Sequence, residues 1–553
     1  MLLYLFILLF FSITCLSLPT ELTLGFLGPT NDNNVASLVG GHPALFAFKL
    51  AIKSINNRSD LLPNTKLNCI IHNTNSSVGN TIIDTFIQIQ NYSVIGIIGE
   101  YNSLTSQAAQ FVARHYKIPQ ISYGATSAIF TADQSEQYPY FLRTIPDLNL
   151  ELNALAYFIH KQEWHNIALL YTSDRPNFHN VDRFINSTKS LNITILTRRA
   201  FVSGAVNISL ADHFAEIKNS KARIIVFIGT LKDQKEVIRN CLELAPELIF
   251  NGYQWIAVHN SMYRAVYLNS SRGIEQDNYK WVQGLIGLQN SAATNSPEYK
   301  KYRKEWYSTP FDIETPSIYP NDTKEDIPII ANFAYDACLM FAHALHQMIE
   351  KDKIDPTLEE NRSSYLSILK NISFSGVSGI VSVDRNGDRS PASFDILNFQ
   401  NDSLVKIGSI TGEGYLTSFN ETAVIYMHGN RIKPLDLPSR PIIKISRWIM
   451  ISMITGSIIC TILSLFMIIL TYSLRQTPVF KASSPTFLIL MLIGVGCLTL
   501  SVVPRSLEGL FSTSTVVCIL DLWLANISYT LIIGTLLREN LQSTARVAEN
   551  EKF

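Results

Sequence analysis

The segment VIGIIGEYNSLTSQAAQFVARHYKIPQISYGATSAIFTADQSEQYPYFLRTIP, residues Val94–Pro146, contains a complete strand–helix–strand unit. Val94–Ile98 and Gln120–Tyr123 are short runs of mainly apolar residues, which are typical of buried strands. Ser106–Tyr116 lies between them and has the apolar spacing of an amphipathic helix. Because a helix separates the two runs, this order predicts neighbouring parallel strands joined by a crossover.

The same alternation extends in both directions from this unit. Strands are predicted at Leu22–Leu27, Lys66–Ile71, Ile167–Tyr171, Ile193–Thr197 and Arg223–Ile228, and helices at Pro43–Asn56, Thr81–Gln90, Leu150–His160, Val181–Ser190 and Lys232–Leu244, followed by a helix at Pro328–Met348 and a hairpin at Ile380–Phe399. This order predicts parallel sheets covered by helices, in a region too long for one sheet. We therefore expect a bilobed α/β domain over residues 19–427, with the chain crossing between lobes more than once. A small ligand would bind in the cleft at the carboxyl ends of the strands.

Three apolar runs follow this domain, after a short linker at residues 428–446. They are Ile449–Tyr472, Thr486–Pro504 and Val516–Leu537, and each has about the 20 residues that a membrane helix needs. Gly494 and Gly496 in the second run are expected to permit close helix packing. Residues 538–553 form a polar tail.

The N-terminus and the loop charges predict the orientation. Residues 1–18 begin with an uncharged Leu/Phe/Ile run and have a small residue, Ser17, near the end, as in a secretory signal peptide. An uncleaved anchor is the alternative. Arg475 and Lys481 lie in the first loop between spans, which the positive-inside rule places in the cytoplasm. We expect a plasma-membrane protein with an extracellular N-terminal domain and a cytoplasmic tail.

Other features of the large domain agree with an extracellular location. Candidate N-glycosylation sites are Asn57, Asn75, Asn91, Asn186, Asn192, Asn207, Asn269, Asn321, Asn361, Asn371, Asn401 and Asn420. Cysteine is sparse: only Cys69, Cys241 and Cys338 lie outside the signal peptide and the spans, too few for a disulfide framework. The formal net charge is zero, and no basic stretch indicates nucleic-acid binding.

The sequence gives no indication of catalysis. Its eleven histidines lack metal-ligand spacing, and there is no H-E-x-x-H, C-x-x-C, P-loop or G-x-S-x-G motif. Asp384-Arg-Asn-Gly-Asp388 suggests calcium binding at first sight, but its glycine and its missing glutamate do not fit an EF-hand. An Asn-Gly turn explains it better. We expect no enzyme, no cofactor and no metal site.

Val94–Pro146 also resembles lobe one of the Venus-flytrap ligand-binding domain. That domain is shared by class C G-protein-coupled receptors, natriuretic-peptide receptors and the amino-terminal domains of ionotropic glutamate receptors. Gly252–Trp255 (GYQW), Ala334–Ala337 (AYDA) and Phe374–Gly379 (FSGVSG) extend the resemblance over nearly all of residues 22–410. It implies a bilobed fold of the periplasmic-binding-protein type I kind.

The membrane end resembles class C receptors in particular. Lys481–Pro485 (KASSP) opens the second span, and Cys518 with Leu522–Leu524 (LWL) begins the third, as in that class. The short linker leaves no room for a cysteine-rich module, which is similar to GABA-B receptor subunits. The three spans resemble the first three of seven helices, so the sequence is expected to be truncated relative to a full receptor.

The resemblance implies two ligand-binding residues. Ser103 matches the serine that binds a ligand carboxylate in class C domains, and Thr126 occupies a second carboxylate-binding position. A hydroxyl can donate to an anion, and so can the backbone amides at the start of the following helix. The alternative is that both residues only cap helices.

Other pocket positions depart from the GABA-binding subunit. Ile145 replaces a histidine, and Ile330 replaces the glutamate that would hold an amine. Thr230 and Asn260 fall where aromatic residues would cover the ligand. An unpaired buried ammonium group is costly, which argues against GABA itself.

The cysteines expected of GABA-B relatives are also incomplete. Asn75 and Asn102 stand approximately where the lobe-one disulfide would be. Cys241 matches one half of a lobe-two bridge, but Ser271-Arg-Gly273 has no partner for it.

The sequence therefore predicts a GABA-B-like class C receptor that binds a small amino-acid-like ligand and signals to G proteins. The resemblance implies a homodimer or a heterodimer with a related subunit, and a heterotrimeric G protein if the seven-helix bundle is complete. The alternative is a truncated, non-signalling decoy or a partner subunit without its own ligand.

Overall fold

The computed structural model describes residues 18–30, 40–131, 135–173, 175–202, 210–229, 231–250, 252–258, 282–311, 327–401, 403–438, 446–482, 484–507 and 515–550. The predicted signal peptide lies outside these residues except for Leu18. The chain divides into two compact units, with the boundary between Ser439 and Arg440.

The first unit alternates strands and helices, as the sequence predicts. Its strands are β1 (Glu21–Gly28), β2 (Lys66–Asn73), β3 (Gly96–Ile98), β4 (Gln120–Ser122), β5 (Phe141–Arg143), β6 (Asn166–Thr172), β7 (Thr194–Phe201), β8 (Ile224–Ile228), β9 (Gln254–Ala257), β10 (Ile286–Asn290), β11 (Phe374–Gly376), β12 (Gly379–Val381), β13 (Ser393–Gln400), β14 (Ser403–Thr411) and β15 (Leu416–Phe419). Its helices are α1 (His42–Asn56), α2 (Val78–Tyr92), α3 (Ser103–Ala113), α4 (Leu148–Lys161), α5 (Arg175–Ser190), α6 (Ala211–Ser220), α7 (Leu231–Leu244), α8 (Glu247–Phe250), α9 (Pro297–Ser308), α10 (Ile329–His346) and α11 (Arg362–Asn371).

Lobe one is built on a five-stranded parallel sheet in the order β2-β1-β3-β4-β5. Leu24 and Phe26 of β1 are fully buried, which is expected of a parallel strand with both faces covered. Helix α10 packs against α1 and β3. A side chain at Gly96 of β3 would collide with the Phe341 ring of α10, since its Cβ would lie 2.5 Å from that ring. Glycine at this position therefore allows the helix to approach the sheet.

Lobe two contains an eight-stranded mixed sheet in the order β15-β14-β13-β10-β9-β8-β6-β7. Strands β6 to β10 are parallel, and β13, β14 and β15 join them antiparallel. Ile224, Ile225 and Val226 of the central strand β8 are all fully buried. The two lobes confirm the predicted bilobed α/β architecture.

The chain passes between the lobes three times. The first crossover follows β5 into α4, the second follows β10 into α9, and the third joins β12 to β13. The predicted hairpin at Ile380–Phe399 is wrong, because β12 pairs with β11 in lobe one and β13 pairs with β14 in lobe two. Its turn exists and is closed locally, by the bridge between Val383 and Arg389 and by the Asp384 N–H donating to the Asp388 carbonyl at 2.8 Å.

The first part of the predicted linker packs against lobe two. The Trp164 Nε1–H donates to the carbonyl of Pro434 at 3.0 Å. The Asp436 carboxylate accepts from the backbone N–H groups of His165 and Asn166, both at 2.9 Å. These contacts fasten residues 434–436 to the amino-terminal end of β6.

The second unit consists of helices α12 (Arg447–Ser473), α13 (Pro478–Ala482), α14 (Pro485–Leu507) and α15 (Thr515–Asn550). Among the residues that the structure describes, three stretches are long and apolar enough to cross a membrane: Trp448–Ser473, Pro485–Pro504 and Ile519–Gln542. Hydroxyl groups link α12 to α14, with Ser464 Oγ donating to the Leu492 carbonyl at 2.6 Å. Interhelical hydrogen bonds of this kind stabilise helix pairs in lipid.

Glycine permits the closest approach of α14 to α15. A Cβ at Gly494 would lie 2.8 Å from Ile532 Cγ1 and 3.2 Å from the Ser528 carbonyl oxygen. A Cβ at Gly534 would meet nothing within 4 Å. The two glycines therefore form a matched pair for testing the helix contact.

We expect Gly494→Ala to destabilise the membrane helices by about 1–3 kcal/mol, because overpacking forces the helices apart. Gly534→Ala should be neutral or stabilising, since alanine favours helix. The melting temperature of each variant is measured on the full chain in detergent. Dye labelling of the membrane cysteines Cys460 and Cys497 serves as the readout of unfolding. Equal melting temperatures for the two variants would contradict the packing shown here.

Candidate ligand site between the two lobes

The carboxyl ends of the lobe-one strands present two loops at the cleft. Gly99–Asn102 follows β3, and Tyr123–Ser127 follows β4. In open parallel sheets this edge is where ligands bind. Each loop leads directly into a helical turn, so backbone amides lie beside the side chains of both loops.

The structure brings the two predicted ligand residues together. Ser103 is half-buried in the first turn of α3, and its Oγ accepts a hydrogen bond from the Ser127 N–H at 3.2 Å. Thr126 is next to Ser127 and is 7% exposed. Its carbonyl accepts from the Leu148 N–H at 2.9 Å, which ties this loop to the first crossover.

Neither residue is the N-cap of the helix that follows it. Asn102 is the N-cap of α3, and Ser127 caps the 3₁₀ turn Ala128–Phe130 through its own hydroxyl. The first intrahelical bond of α3 runs from the Ser106 N–H to the Asn102 carbonyl. The earlier amides of that turn have no partner within the helix, and such groups are suited to binding an anion.

A buried arginine braces the β4 loop from below. Arg143 is fully buried at the end of β5, and its Nη1 donates to the carbonyls of Ala125 and Ser127, both at 3.0 Å. Its Nε donates to Asp388 Oδ1 of the third crossover at 2.6 Å. Burial raises the pKa of the Asp388 carboxyl, and the Arg143 charge opposes that shift. One guanidinium therefore connects the candidate ligand loop to the hinge.

A buried carboxyl lies under the β3 loop. Glu100 is fully buried, and its Oε2 accepts from Thr105 Oγ1 at 3.2 Å and from the Tyr101 N–H at 3.3 Å. Burial raises the pKa of Glu100 to about 7, although these hydrogen bonds oppose the shift. The Tyr123 ring is also fully buried, and the pKa of its hydroxyl is raised well above the usual value by burial and by Glu100.

The two isoleucines at departing pocket positions belong to the core. Ile145 is 1% exposed and Ile330 is fully buried, and both lie in the apolar cluster shared by β1, α1 and α10. Neither offers a polar group to an amine. Thr230 and Asn260 lie outside the described residues.

A polar contact connects the two segments in which the sequence resemblance implies a lobe-one disulfide. Asn102 Nδ2 donates to Ser76 Oγ at 3.2 Å, next to Asn75. In lobe two Cys241 is buried, and burial raises the pKa of its thiol to about 12. The segment predicted to lack its partner, Ser271–Gly273, lies outside the described residues.

The Asp384–Asp388 loop is the predicted Asn-Gly turn. Asp384 Oδ1 accepts from the Asn386 N–H at 2.8 Å and from the Asp388 N–H at 3.0 Å. Gly387 has φ +94°, a conformation that side chains disfavour. The Asp384 carboxylate is therefore occupied with closing the turn.

Most of the described glycosylation candidates are accessible. The exposed ones are Asn57, Asn75, Asn91, Asn186, Asn192, Asn371, Asn401 and Asn420, and Asn361 is half-buried with its Nδ2 on the Asp355 carbonyl. Asn207, Asn269 and Asn321 lie outside the described residues.

The sequence interpretation missed Glu100, Arg143 and Asp388. Each is a charged residue that directly follows or ends an apolar strand or closes a turn, as in Phe141-Leu-Arg143. A charged residue at the end of a buried apolar strand could have predicted these positions. Buried charged groups are usually paired with another group or functional.

Comparison with known proteins identifies two family models along the chain. Residues 44–402, well over half of the chain, match "Receptor family ligand binding region". Residues 443–551 match "7 transmembrane sweet-taste receptor of 3 GCPR". Both describe receptors rather than enzymes.

Named relatives agree with these families. Metabotropic glutamate receptor-like protein E of Dictyostelium discoideum is 24% identical, over 97% of this chain and 61% of its own length. Glutamate receptor 3.1 of Oryza sativa subsp. japonica is 22% identical over 66% of this chain and 40% of its own. Taste receptor type 1 member 3 of Gorilla gorilla gorilla is 28% identical over 23% of this chain and 17% of its own. The chain thus spans less than two thirds of the length of these relatives.

Glu100 makes the stability of the protein depend on pH. The folded state holds the Glu100 proton up to about pH 7, whereas an unfolded glutamate, with its ordinary pKa, releases it near pH 4.5. Protonation thus favours folding, and this contribution is lost as pH rises through that window, on the order of 3 kcal/mol in all. Glu100→Gln should remove it, while the exposed Glu421→Gln should not.

Melting temperatures of the full chain between pH 5 and pH 8 test this expectation. The difference between the Glu100→Gln variant and the wild type should grow with pH. A constant difference across the range would show that Glu100 does not titrate there.

Proposed function

The chain belongs to the receptor family ligand-binding region family, and on that premise we propose that it is a cell-surface receptor subunit of the class C, GABA-B-like kind. Its ligand is a small amino-acid-like molecule bound between the lobes. The observation that carries this proposal is the meeting of Ser103, Thr126 and the first-turn amides of α3 at one edge of the lobe-one sheet. Hydroxyl and amide donors that converge at a helix N-terminus suit a carboxylate.

The GABA-B-like assignment rests on the segment between the two units. Residues 428–446 are too short to hold a cysteine-rich module, and residues 434–436 are fastened directly to lobe two. Movement of lobe two would therefore act on the first membrane helix through a short tether. The match of residues 443–551 to a family of seven-helix receptors supports signalling to a heterotrimeric G protein by a complete helix bundle.

The same premise supports an N-terminal domain outside the plasma membrane and a cytoplasmic tail. Arg475 and Lys481 lie in the segment between α12 and α14, as expected of a cytoplasmic loop. The eight exposed glycosylation candidates all lie in the first unit.

Dimerisation through lobe one is supported by an exposed apolar surface. Helices α2 and α3 pack side by side and present several large apolar side chains to solvent: Val78, Ile82, Ile83, Phe86, Leu104 and Phe111, which are 39–58% exposed. Exposed apolar surfaces of this kind commonly bind another protein. We assign this surface, the α2–α3 face, to a second copy of the chain.

One observation favours a second candidate function. Ile145 and Ile330 are buried and apolar where the resemblance to the GABA-binding subunit implies a histidine and the amine-holding glutamate, respectively. A subunit without its own ligand, paired with a binding subunit, would need no polar group at either position.

A binding measurement separates the two candidates. Isothermal titration of the full chain with the common amino acids and GABA should detect at least one ligand. Ser103→Ala should lower the affinity for that ligand about tenfold to a hundredfold, because a hydrogen bond to a charged group is lost. The exposed Ser364→Ala serves as control. If none of these compounds gives a heat of binding, the result would contradict an amino-acid receptor and favour the subunit without a ligand.

The α2–α3 face predicts the oligomeric state. Ile83→Glu combined with Phe86→Glu should weaken the dimer at least tenfold, because two charges would be buried in the contact. Val202→Glu, at an equally exposed apolar position of lobe two, should leave the dimer intact. Mass photometry of the full chain in detergent measures both. A monomeric wild type, or a double variant that still dimerises, would refute this interface.

A further inference from the structure

A second cavity lies at the hinge and is separate from the candidate ligand loops. It encloses about 320 Å³ and is lined by all three crossovers, including Pro146 of the first, Asn290 of the second and Arg389 of the third. Its lobe-two wall is formed at the ends of β10, β13 and β14. Ser103 and Thr126 instead follow β3 and β4 and are not part of its lining.

The cavity contains a buried guanidinium that has no ion pair. Arg389 is 4% exposed, and its nitrogens donate to the Thr144 carbonyl and the Ile380 carbonyl, both at 2.7 Å, and to Ser378 Oγ at 3.0 Å. All of these acceptors are neutral. Among the described residues no carboxylate forms an ion pair with it, and its Nε has no hydrogen-bond partner.

The buried Asp336 carboxyl accepts its hydrogen bonds from other groups. Asp336 accepts from the backbone N–H groups of Val377 and Ser378, both at 2.8 Å, and from the Ser378 hydroxyl. Burial lowers the pKa of Arg389 to about 10, and Asp336 opposes that shift only in part. Glu413 also lines the cavity, but it is exposed, and it forms no ion pair with Arg389 among the described residues. The Arg389 guanidinium, with its unpartnered Nε, is therefore the buried charged group in the lining at which an anion would bind.

The opposite wall supplies an acceptor. Asn290 is 8% exposed, and its Oδ1 has no hydrogen-bond partner in the described structure. Phe333, Pro391 and Ala392 contribute apolar surface to the same lining. A guest that satisfies this cavity carries a carboxylate, an N–H group and an apolar body.

We propose that the hinge cavity binds a small apolar carboxylic acid with an N–H group, its carboxylate toward Arg389 and its N–H toward Asn290. Because the crossovers must bend when the lobes close, occupancy of this cavity biases the lobe arrangement. The proposal goes beyond the function proposed above and does not depend on it.

Binding of L-phenylalanine, N-acetyl-L-phenylalanine and benzoate to the full chain in nanodiscs tests this site. Every variant is made in a Ser103→Ala background, which lowers ligand affinity at the candidate site formed by the β3 and β4 loops. Ile380 lines the cavity and is 59% exposed, so Ile380→Trp blocks it without burying a new side chain. Val202→Trp, at a position 62% exposed and far along the sequence, is the matched control.

We expect saturable binding of at least one of the two N–H-bearing probes. Ile380→Trp should weaken it at least tenfold, Val202→Trp should not, and L-phenylalaninamide, which lacks the carboxylate, should bind at least tenfold more weakly. Arg389→Lys, which keeps the charge, should retain more affinity than Arg389→Gln. No saturable binding of any probe, or binding that Ile380→Trp leaves unchanged, would overturn the proposal. Loss of an amino-acid response in Ser103→Ala alone bears only on the cleft site.

Discussion

The interlobe region depends on the hydrogen bonds and the ion pair that the buried guanidinium of Arg143 forms. Arg143 is the last residue of β5. Its guanidinium donates hydrogen bonds to two carbonyls of the β4 loop and to Asp388 of the third crossover. Removing one partner of a buried ion pair leaves the other charge uncompensated, at a cost of about 3–5 kcal/mol.

This brace gives a physical account of how a ligand could be sensed. Thr126 sits between two residues whose carbonyls Arg143 holds, and its own carbonyl accepts from Leu148 of the first crossover. A ligand that displaces the β4 loop would therefore also displace the first and the third crossovers, which are hydrogen-bonded to it directly or through Arg143. Lobe two, in turn, is tethered through Asp436 to the segment that leads to the first membrane helix. Such coupling requires only a shift between two lobe arrangements.

The sequence predicts the alternation of strands and helices well, because β1, β8 and α10 have strong apolar patterns that local physics determines. The wrong hairpin at Ile380–Phe399 has a different origin. Its turn chemistry is local and correct, but β12 and β13 pair with their other neighbours along the chain, β11 and β14, which belong to different lobes. The meeting of Ser103 with Thr126 follows from the parallel sheet and could be anticipated. The Arg143–Asp388 pair could not, because its partners are 245 residues apart and no local pattern links them.

Hydrogen exchange in the Asp388→Asn variant of the full chain tests the central claim most directly. If Arg143 carries the constraint from the hinge to the ligand loop, the Ala125 and Ser127 amides should exchange faster, although they are bonded to Ser122 and Ser103 and not to residue 388. Asp60→Asn, at an exposed ion pair with Arg58, should leave them unchanged. Faster exchange confined to residues 383–392, with the β4 loop as protected as in the wild type, would contradict the account.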